Sequence, residues 1–267
     1  MQEPVESHNG LNTEMIPAER RSRIVDMLQA RRAVRVSMLS ELLGVSEMTI
    51  RRDLERLEAE GVLSRTHGGA ILKRHLTAEP VYVESVLAHA DEKRRIAQAA
   101  AALIEPGDTV FLNSGTTAAE VLRHVDPQLE CRIVTNNAGC LAEVAGLAAE
   151  LVVVGGMYRP SSNAFEGSLS AEHVSEFYAS KMLLGADAMS LEEGLTASSV
   201  GLALVERAMV RQTRGEVVVL ADSSKIGVVA NVSLCPLDRT QAIIVDDGID
   251  DEMREELERL GLRVQVV

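Results

Sequence analysis

Tryptophan is absent from the 267 residues, and tyrosine and phenylalanine number three each. So few rings exclude a platform for single-stranded nucleic acid, on which successive bases stack against aromatic faces. Cysteine is nearly as scarce. Cys131, Cys140 and Cys235 form no C-x-x-C pair and leave an odd one out, which excludes a disulfide framework and a thiolate zinc site. They read as small buried side chains in a reducing compartment. No apolar run approaches the ~20 residues needed to cross a bilayer. Residues 1–16 lack the basic-then-apolar order of a secretory leader. A cytoplasmic protein with no membrane partner, no metal and no cofactor is expected.

Positive charge is also short, with 27 Lys and Arg against 40 Asp and Glu and a formal charge of −13. Read as an average, that argues against a polyanionic partner. The average conceals a division. Residues 1–16 hold three acids and no base, residues 17–74 hold twelve bases against eight acids, and residues 75–267 hold fifteen against twenty-nine. A small basic module therefore precedes a large acidic one. The length suits two domains at ~150 residues each, and an apolar content of 46% excludes wholesale disorder.

Residues 1–16 show no periodic apolar pattern and are expected to be a disordered tail. Pro17 suits the first position of a helix, with Ile24, Val25 and Leu28 on one face. Ser37 is placed as the cap of a second helix through Leu43, with Leu39, Leu42 and Leu43 inward. Gly44 ends that helix, Ser46 caps a third, and Gly61 stops it after Glu60. Two short helices joined through a glycine turn form a helix-turn-helix, whose second helix enters a major groove. At ~100° per residue, Ile50, Leu54 and Leu57 share the inner face. Met48, Arg52 and Glu55 point away, with Thr49, Arg51 and Arg56 on the flanks. Arg51 and Arg52 reach guanine edges or phosphates, and Thr49 suits a phosphate oxygen or a thymine methyl. Spacing alone leaves open an ordinary helical hairpin with a solvated face and a Glu47–Arg51 pair. The stretch 62–72, VLSRTHGGAIL, has two glycines amid short extended runs and reads as a hairpin, with Arg65 and His67 at its tip. Residues 73–90 read as a connector broken by Pro80.

Beyond Asp91 the pattern alternates. Strand-length apolar runs fall at 109–112, 132–135, 151–156, 182–187, 216–222, 242–246 and 263–267, with helical segments at 92–104, 116–125, 137–148, 198–213 and 250–260. Continuous β-branched strands separated by helices predict an α/β open sheet, mainly parallel and covered on both faces. Small polar clusters recur just after the strands. Asn113-Ser114-Gly115-Thr116-Thr117 follows the first, offering backbone N–H groups and three hydroxyls to an anion. A plain capped strand-to-helix turn remains the other reading of that run. Thr135-Asn136-Asn137 follows the second strand and Gly155-Gly156 the third; Asp187 and the run Ala221–Lys225 end later ones. In such sheets ligands sit beyond the carboxyl ends of strands, so a shared pocket is expected rather than scattered turn chemistry.

The run SEMTIRRDLERLEAEGVLSRTHGGA, from Ser46 to Ala70, closely resembles the signature of the DeoR family of bacterial transcriptional regulators. The resemblance continues through S-G-T-T, T-N, G-G, G-A-D and A-D-S-S-K in the family's order, and covers residues 17–267. It implies a winged helix-turn-helix over 17–72, a connector over 73–90, and over 91–267 a sensor domain with a fold like sugar-phosphate isomerases and CoA transferases. It implies a repressor of a sugar or polyol operon, released from operator DNA by a phosphorylated sugar-type metabolite. By that likeness Ser46, Met48, Thr49, Arg51, Arg52, Arg65 and His67 face double-stranded DNA. Ser114, Gly115, Thr116 and Thr117 hold the phosphate, flanked by Asn113. Thr135, Asn136, Asn137, Asp187 and Lys225 are candidate contacts, with Gly155 and Gly156 permitting close approach. Three places depart from the family pattern. Asn113 replaces the usual aspartate, residues 197–200 replace a threonine-rich acidic stretch, and Ala188-Met189 follows Asp187 where glycine is common.

An isomerase or transferase needs a positioned carboxylate base. Asp187, Glu166, Asp222 and Lys225 are present, but Asn113 cannot act as a base and no compact Glu/His pair replaces it. No catalytic residue is assigned, and the chain is expected not to be an enzyme. A partner-binding protein without DNA contact is disfavoured by the twelve bases of 17–74. One winged unit contacts too little DNA for operator specificity, so a homo-oligomer, dimer or tetramer, is expected to read repeated half-sites. Replacing both Arg51 and Arg52 by Ala should abolish operator retardation in a gel while leaving the circular-dichroism spectrum unchanged. Normal retardation by the double variant would place the recognition helix elsewhere.

Overall fold

Pro17 opens the first helix (α1, Pro17–Arg31), and Ile24 and Leu28 on its inner face are fully buried. The computed structural model describes residues 15–31, 33–76 and 81–267, so the expected tail lies almost wholly outside the described residues, as does Pro80. A short strand (β1, Ala33–Arg35) precedes the second helix (α2, Val36–Leu43). That helix starts two residues earlier than expected, with Arg35 at the cap and no side-chain cap bond, so Ser37 is not its cap. Gly44 takes φ 65°, the left-handed conformation that favours glycine, and turns the chain into the third helix (α3, Glu47–Ala59). Ser46 caps α3 by accepting the Thr49 amide. Ile50, Leu54 and Leu57 are buried against α1 and α2 as expected, whereas Leu42 is 59% exposed and does not join the core. A hairpin (β2, Leu63–Arg65; β3, Gly69–Leu72) pairs antiparallel with β1 on its other edge. Arg20 donates to Asp53 at 2.5 Å inside this unit, with Arg21 at 3.6 Å, so α1 is locked onto the back of α3 by a buried ion pair.

The connector has structure of its own. A two-residue strand (β4, Arg74–His75) is followed by a helix (α4, Tyr82–Leu87). Beyond it run a long helix (α5, Ala90–Ala101) and the strands β5 (Thr109–Leu112), β6 (Arg132–Thr135) and β7 (Glu150–Val153). The helix after β5 is shorter than expected (α6, Thr116–Val121), continuing as one 3-10 turn to His124. Residues 137–148 hold only one helical turn (α7, Cys140–Glu143). Asn137 folds back instead, its Oδ1 accepting the Gly139 amide at 2.9 Å. An antiparallel hairpin (β8, Met157–Arg159; β9, Ala164–Glu166) and a helix (α8, Ser168–Ser175) follow.

The later strands are β10 (Ala179–Gly185), β11 (Ala188–Ser190), β12 (Gly194–Ala197), β13 (Thr213–Ala221), β14 (Val228–Val229), β15 (Val232–Cys235), β16 (Ala242–Val245) and β17 (Arg263–Val266). Their helices are α9 (Val200–Gln212) and α10 (Asp251–Arg259). Seven strands form one wholly parallel sheet in the order β17-β16-β13-β10-β5-β6-β7. Alternate residues serve opposite faces, as a doubly covered sheet requires. Phe111, Met182 and Val219 pack with α8, α9 and α10, while Val110, Leu112 and Leu183 pack with α5 and α6. Strand order reverses between β5 and β10, because the chain builds outward one way from β5 and returns on its other side. That reversal leaves a crevice at the carboxyl ends of these two strands. Ile71 of β3 is 5% exposed within the core on the α9 side, so the amino-terminal unit is anchored in the larger one.

Candidate functional site

Two surfaces carry the expected residues. On α3, Met48 is 62% exposed and Arg51 and Arg52 also face solvent. Arg51 pairs with Glu47 one turn back at 3.4 Å, a surface contact worth at most ~1 kcal/mol and readily exchanged for a phosphate. No ion pair holds Arg52 among the described residues. Ser46 and Thr49 share a 3.0 Å hydroxyl contact at the start of the helix. Arg65 does not sit at the hairpin tip. Its guanidinium reaches Glu55 at 2.7 Å and Glu58 at 3.3 Å, bracing the hairpin against α3. His67 is at the exposed tip, but its backbone amide is bonded to Glu256 of α10 at 2.7 Å. Arg51, Glu55, Arg65, Thr66 and His67 line one groove between helix and wing.

The second surface is the crevice where strand order reverses. Ser114, Gly115, Thr116 and Thr117 from the β5 end face Asp187 from the β10 end and Lys225 from the β13 end across one cleft. Asp187 Oδ2 accepts the Ser198 amide at 2.9 Å and its hydroxyl at 2.7 Å, which fixes the carboxylate at the rim. Six expected residues lie outside the lining. Asn113 is fully buried, its Oδ1 accepting the Gly185 amide at 2.7 Å and its Nδ2 donating to the Gly185 carbonyl at 2.9 Å. Thr135 accepts the Asn137 amide, Asn136 donates to the Phe165 carbonyl, and Asn137 donates to the Gly115 carbonyl at 2.9 Å. Asn137 thus holds the β5 loop from behind, with Thr135 bracing Asn137 and Asn136 tied to β9. The Gly155 carbonyl accepts the Ser170 hydroxyl of α8 at 2.9 Å, and a Cβ on Gly156 would clash with the same hydroxyl.

Other lining residues went unread in the sequence. Tyr82 and Ser85 come from α4, Lys93 from α5, Ser162 from the β8–β9 turn and Leu202 from α9. Lys93 had a legible signal, because it falls on the inward stripe with Ile96, Ala97 and Ala100. Its ammonium donates to the Ser85 and Ala88 carbonyls, at 2.5 and 2.7 Å. Burial pulls this ammonium below the usual lysine range; Asp222 opposes the shift and Lys225 adds to it. Tyr82 and Ser85 gave no signal, since the connector bends toward the cleft only through partners elsewhere, such as the Tyr82 amide on the Ser161 carbonyl.

Behind the cleft, Asn113 Nδ2 also donates to Glu206 Oε1 at 2.6 Å. Burial, reinforced by the Asp187 charge, pushes the Glu206 carboxyl up to about 8 against the pull of Asn113 and Arg207. An aspartate at position 113 would set a second carboxyl against Glu206. The asparagine brings a donor instead.

Residues 88–247 match the family described as DeoR C terminal sensor domain, and residues 20–75 match the DeoR-like helix-turn-helix domain. The chain belongs to the DeoR family. Among its relatives, the transcriptional regulator GlpR of Haloferax volcanii is 33% identical, over 94% of this chain and 98% of its own. The transcriptional repressor AccR of Agrobacterium fabrum is 30% identical, over 86% and 90%. A solved ribose 5-phosphate isomerase from Methanocaldococcus jannaschii is similar over 52% of this chain and 55% of that one, at 20% identity and a TM-score of 0.39. As a DeoR protein the chain is a DNA-binding transcriptional regulator rather than an enzyme. Among the described residues no helix is long and apolar enough to cross a membrane, and no His, Cys, Asp and Glu cluster fits a metal.

The Glu206 carboxyl gives a pH signature. Its folded value of about 8 lies above the ordinary 4.5, so its contribution to stability is fully present below about pH 4.5 and is lost as pH rises through about 8. Glu206→Gln keeps the shape without the titration. The unfolding free energy of the wild type relative to this variant should therefore fall across that interval in urea titrations. A constant difference would show that Glu206 does not titrate there.

Proposed function

We propose that this regulator is a cytoplasmic repressor of a sugar or polyol operon, released from its operator when a phosphorylated metabolite enters the cleft at the strand reversal. The observation that carries the reading is the cleft's composition. Two lysines and the hydroxyls of Ser114, Thr116 and Thr117 surround the backbone amides of the β5 loop, while Asp187 stands at the rim with Ser198. The first set suits a phosphate dianion and the second suits sugar or polyol hydroxyls. Repression is supported by the AccR relative, which carries that designation.

A path from cleft to reading head supports release. The chain leaving Lys225 becomes β14, which pairs parallel with β4 in the register Val228↔Arg74 and Val229↔His75. β4 continues directly from β3 of the wing. Tyr82 and Ser85 bring the connector itself into the cleft wall. A ligand that repositions Lys225 or Lys93 therefore acts on the segment that carries the DNA-binding unit. A homo-oligomer reading repeated half-sites is supported by apolar side chains left exposed on α4, Val83 at 72% and Leu87 at 80%.

The experiment is a thermal-shift screen of phosphorylated sugars and polyols against the full chain, each hit being tested for operator release. A ligand at 100 times its Kd adds ~2.7 kcal/mol of stability. Lys225→Met should weaken a true effector by about tenfold or more, the order of one lost charge-assisted hydrogen bond. A hit that stabilises the wild type and Lys225→Met equally, or leaves operator bound, contradicts the reading.

A further inference from the structure

We propose that α10 is an autoinhibitory clamp on the wing, its carboxylates occupying the donors that a DNA phosphate takes when operator binds. Glu252, Glu255 and Glu256 share one face of the helix at the i, i+3, i+4 spacing, and all three reach the amino-terminal unit. Glu252 accepts the Thr66 hydroxyl, Glu256 Oε1 accepts the His67 amide at 2.7 Å, and Glu255 meets Arg35 at 3.4 Å. A hydroxyl, a free backbone amide and an arginine beside a recognition helix are the groups that grip a duplex backbone. Here each holds a carboxylate of the same chain.

The fit is close and the satisfaction incomplete. A Cβ on Gly69 would meet the Glu252 carboxylate oxygens at 2.5 and 2.6 Å, so the wing lies directly on them. Glu252 Oε2 is buried with no hydrogen-bond partner among the described residues, and burial pushes that carboxyl above its ordinary range. A carboxylate held with one oxygen unpartnered is a weak seal, since the unmet desolvation is recovered on opening. Opening is also required. A duplex seated on the wing tip would set its phosphates against these carboxylates, and like charges brought together without water are costly. The reading head must therefore part from α10 before it grips DNA, and the acidic body supplies a competitor as well as a diffuse field.

The test compares affinities for a duplex that the full-length protein selects from a random-sequence pool, by fluorescence anisotropy at one salt concentration. The double variant Glu252→Gln with Glu256→Gln keeps shape and removes the charge, and should bind about tenfold tighter. Glu258→Gln is the control. It removes one carboxylate from the same helix, matching the single variant Glu256→Gln, but its side chain pairs with Arg254 and does not touch the wing, so affinity should stay within about twofold. Unchanged or weaker binding by the double variant overturns the clamp, and so does equal tightening by the control. Should the double variant lose its circular-dichroism signature, Glu256→Gln alone carries the same comparison with an expected gain of about threefold.

Discussion

The side chain of Asn113 joins two parallel strands at the one point where the order of the sheet reverses. Its amide bonds both the N–H and the C=O of Gly185, so the ends of β5 and β10 are clasped just before their loops diverge. Everything functional in the sensor half depends on that divergence. The β5 loop turns one way into α6 with its hydroxyls, and the β10 end turns the other way with Asp187, leaving the cleft between them. The third bond of the same amide, to Glu206, ties the clasp to α9, whose amino end carries Ser198 and Leu202 toward the cleft. Departure from the family's aspartate at this position therefore changes the wall behind the cleft rather than its lining.

A second constraint links the halves. β3 of the wing, β4 of the connector and β14 beyond Lys225 lie in one continuous path, with Ile71 seated in the sensor core and Gly227 close beneath it. A Cβ on Gly227 would lie 3.1 Å from the Ile71 methyl at φ 73°, so only glycine serves this crossing without strain. The amino-terminal unit is thus not a bead on a string. Its position relative to the sensor is set by strand pairing on one side and by the acidic face of α10 on the other.

Much of this was legible in the residues. The stripe Ile50, Leu54, Leu57 placed the recognition helix and left Arg51 and Arg52 outward, because an amphipathic helix follows from spacing alone. The seven strands of the parallel sheet are visible as short apolar runs, most clearly the inner ones such as β16, where every residue is buried. Spacing places Leu42 inward with Leu39 and Leu43, because a leucine beside two inward neighbours is indistinguishable by pattern from a third one, yet it faces solvent. The alternation of strands and helices predicts a full helix over 137–148, whereas Asn137 and the bridge from Asn137 to Ala164 divert it. The sequence marks Asn113, Thr135, Asn136 and Asn137 as candidate effector contacts, and the structure places all four outside the cleft lining. Asn113, Asn136 and Asn137 reach groups 72, 29 and 22 residues away, so no local pattern shows where they point. The connector is opaque for the same reason: β4 is held by residues 227–229, and α4 by Ser161 and Lys93. The charge division between the two halves was plain, and the structure gives it a specific meaning in the contact of α10 with the wing.

The central claim is that ligand in the cleft reaches the DNA-reading unit through the pairing of β4 with β14. Amide hydrogen exchange tests it directly, at the Arg74 and Leu76 N–H groups that donate to the Gly227 and Val229 carbonyls. With a ligand that releases operator, the account predicts altered protection at these two amides, in step with release as ligand is titrated. Release of operator with protection at both unchanged would contradict it.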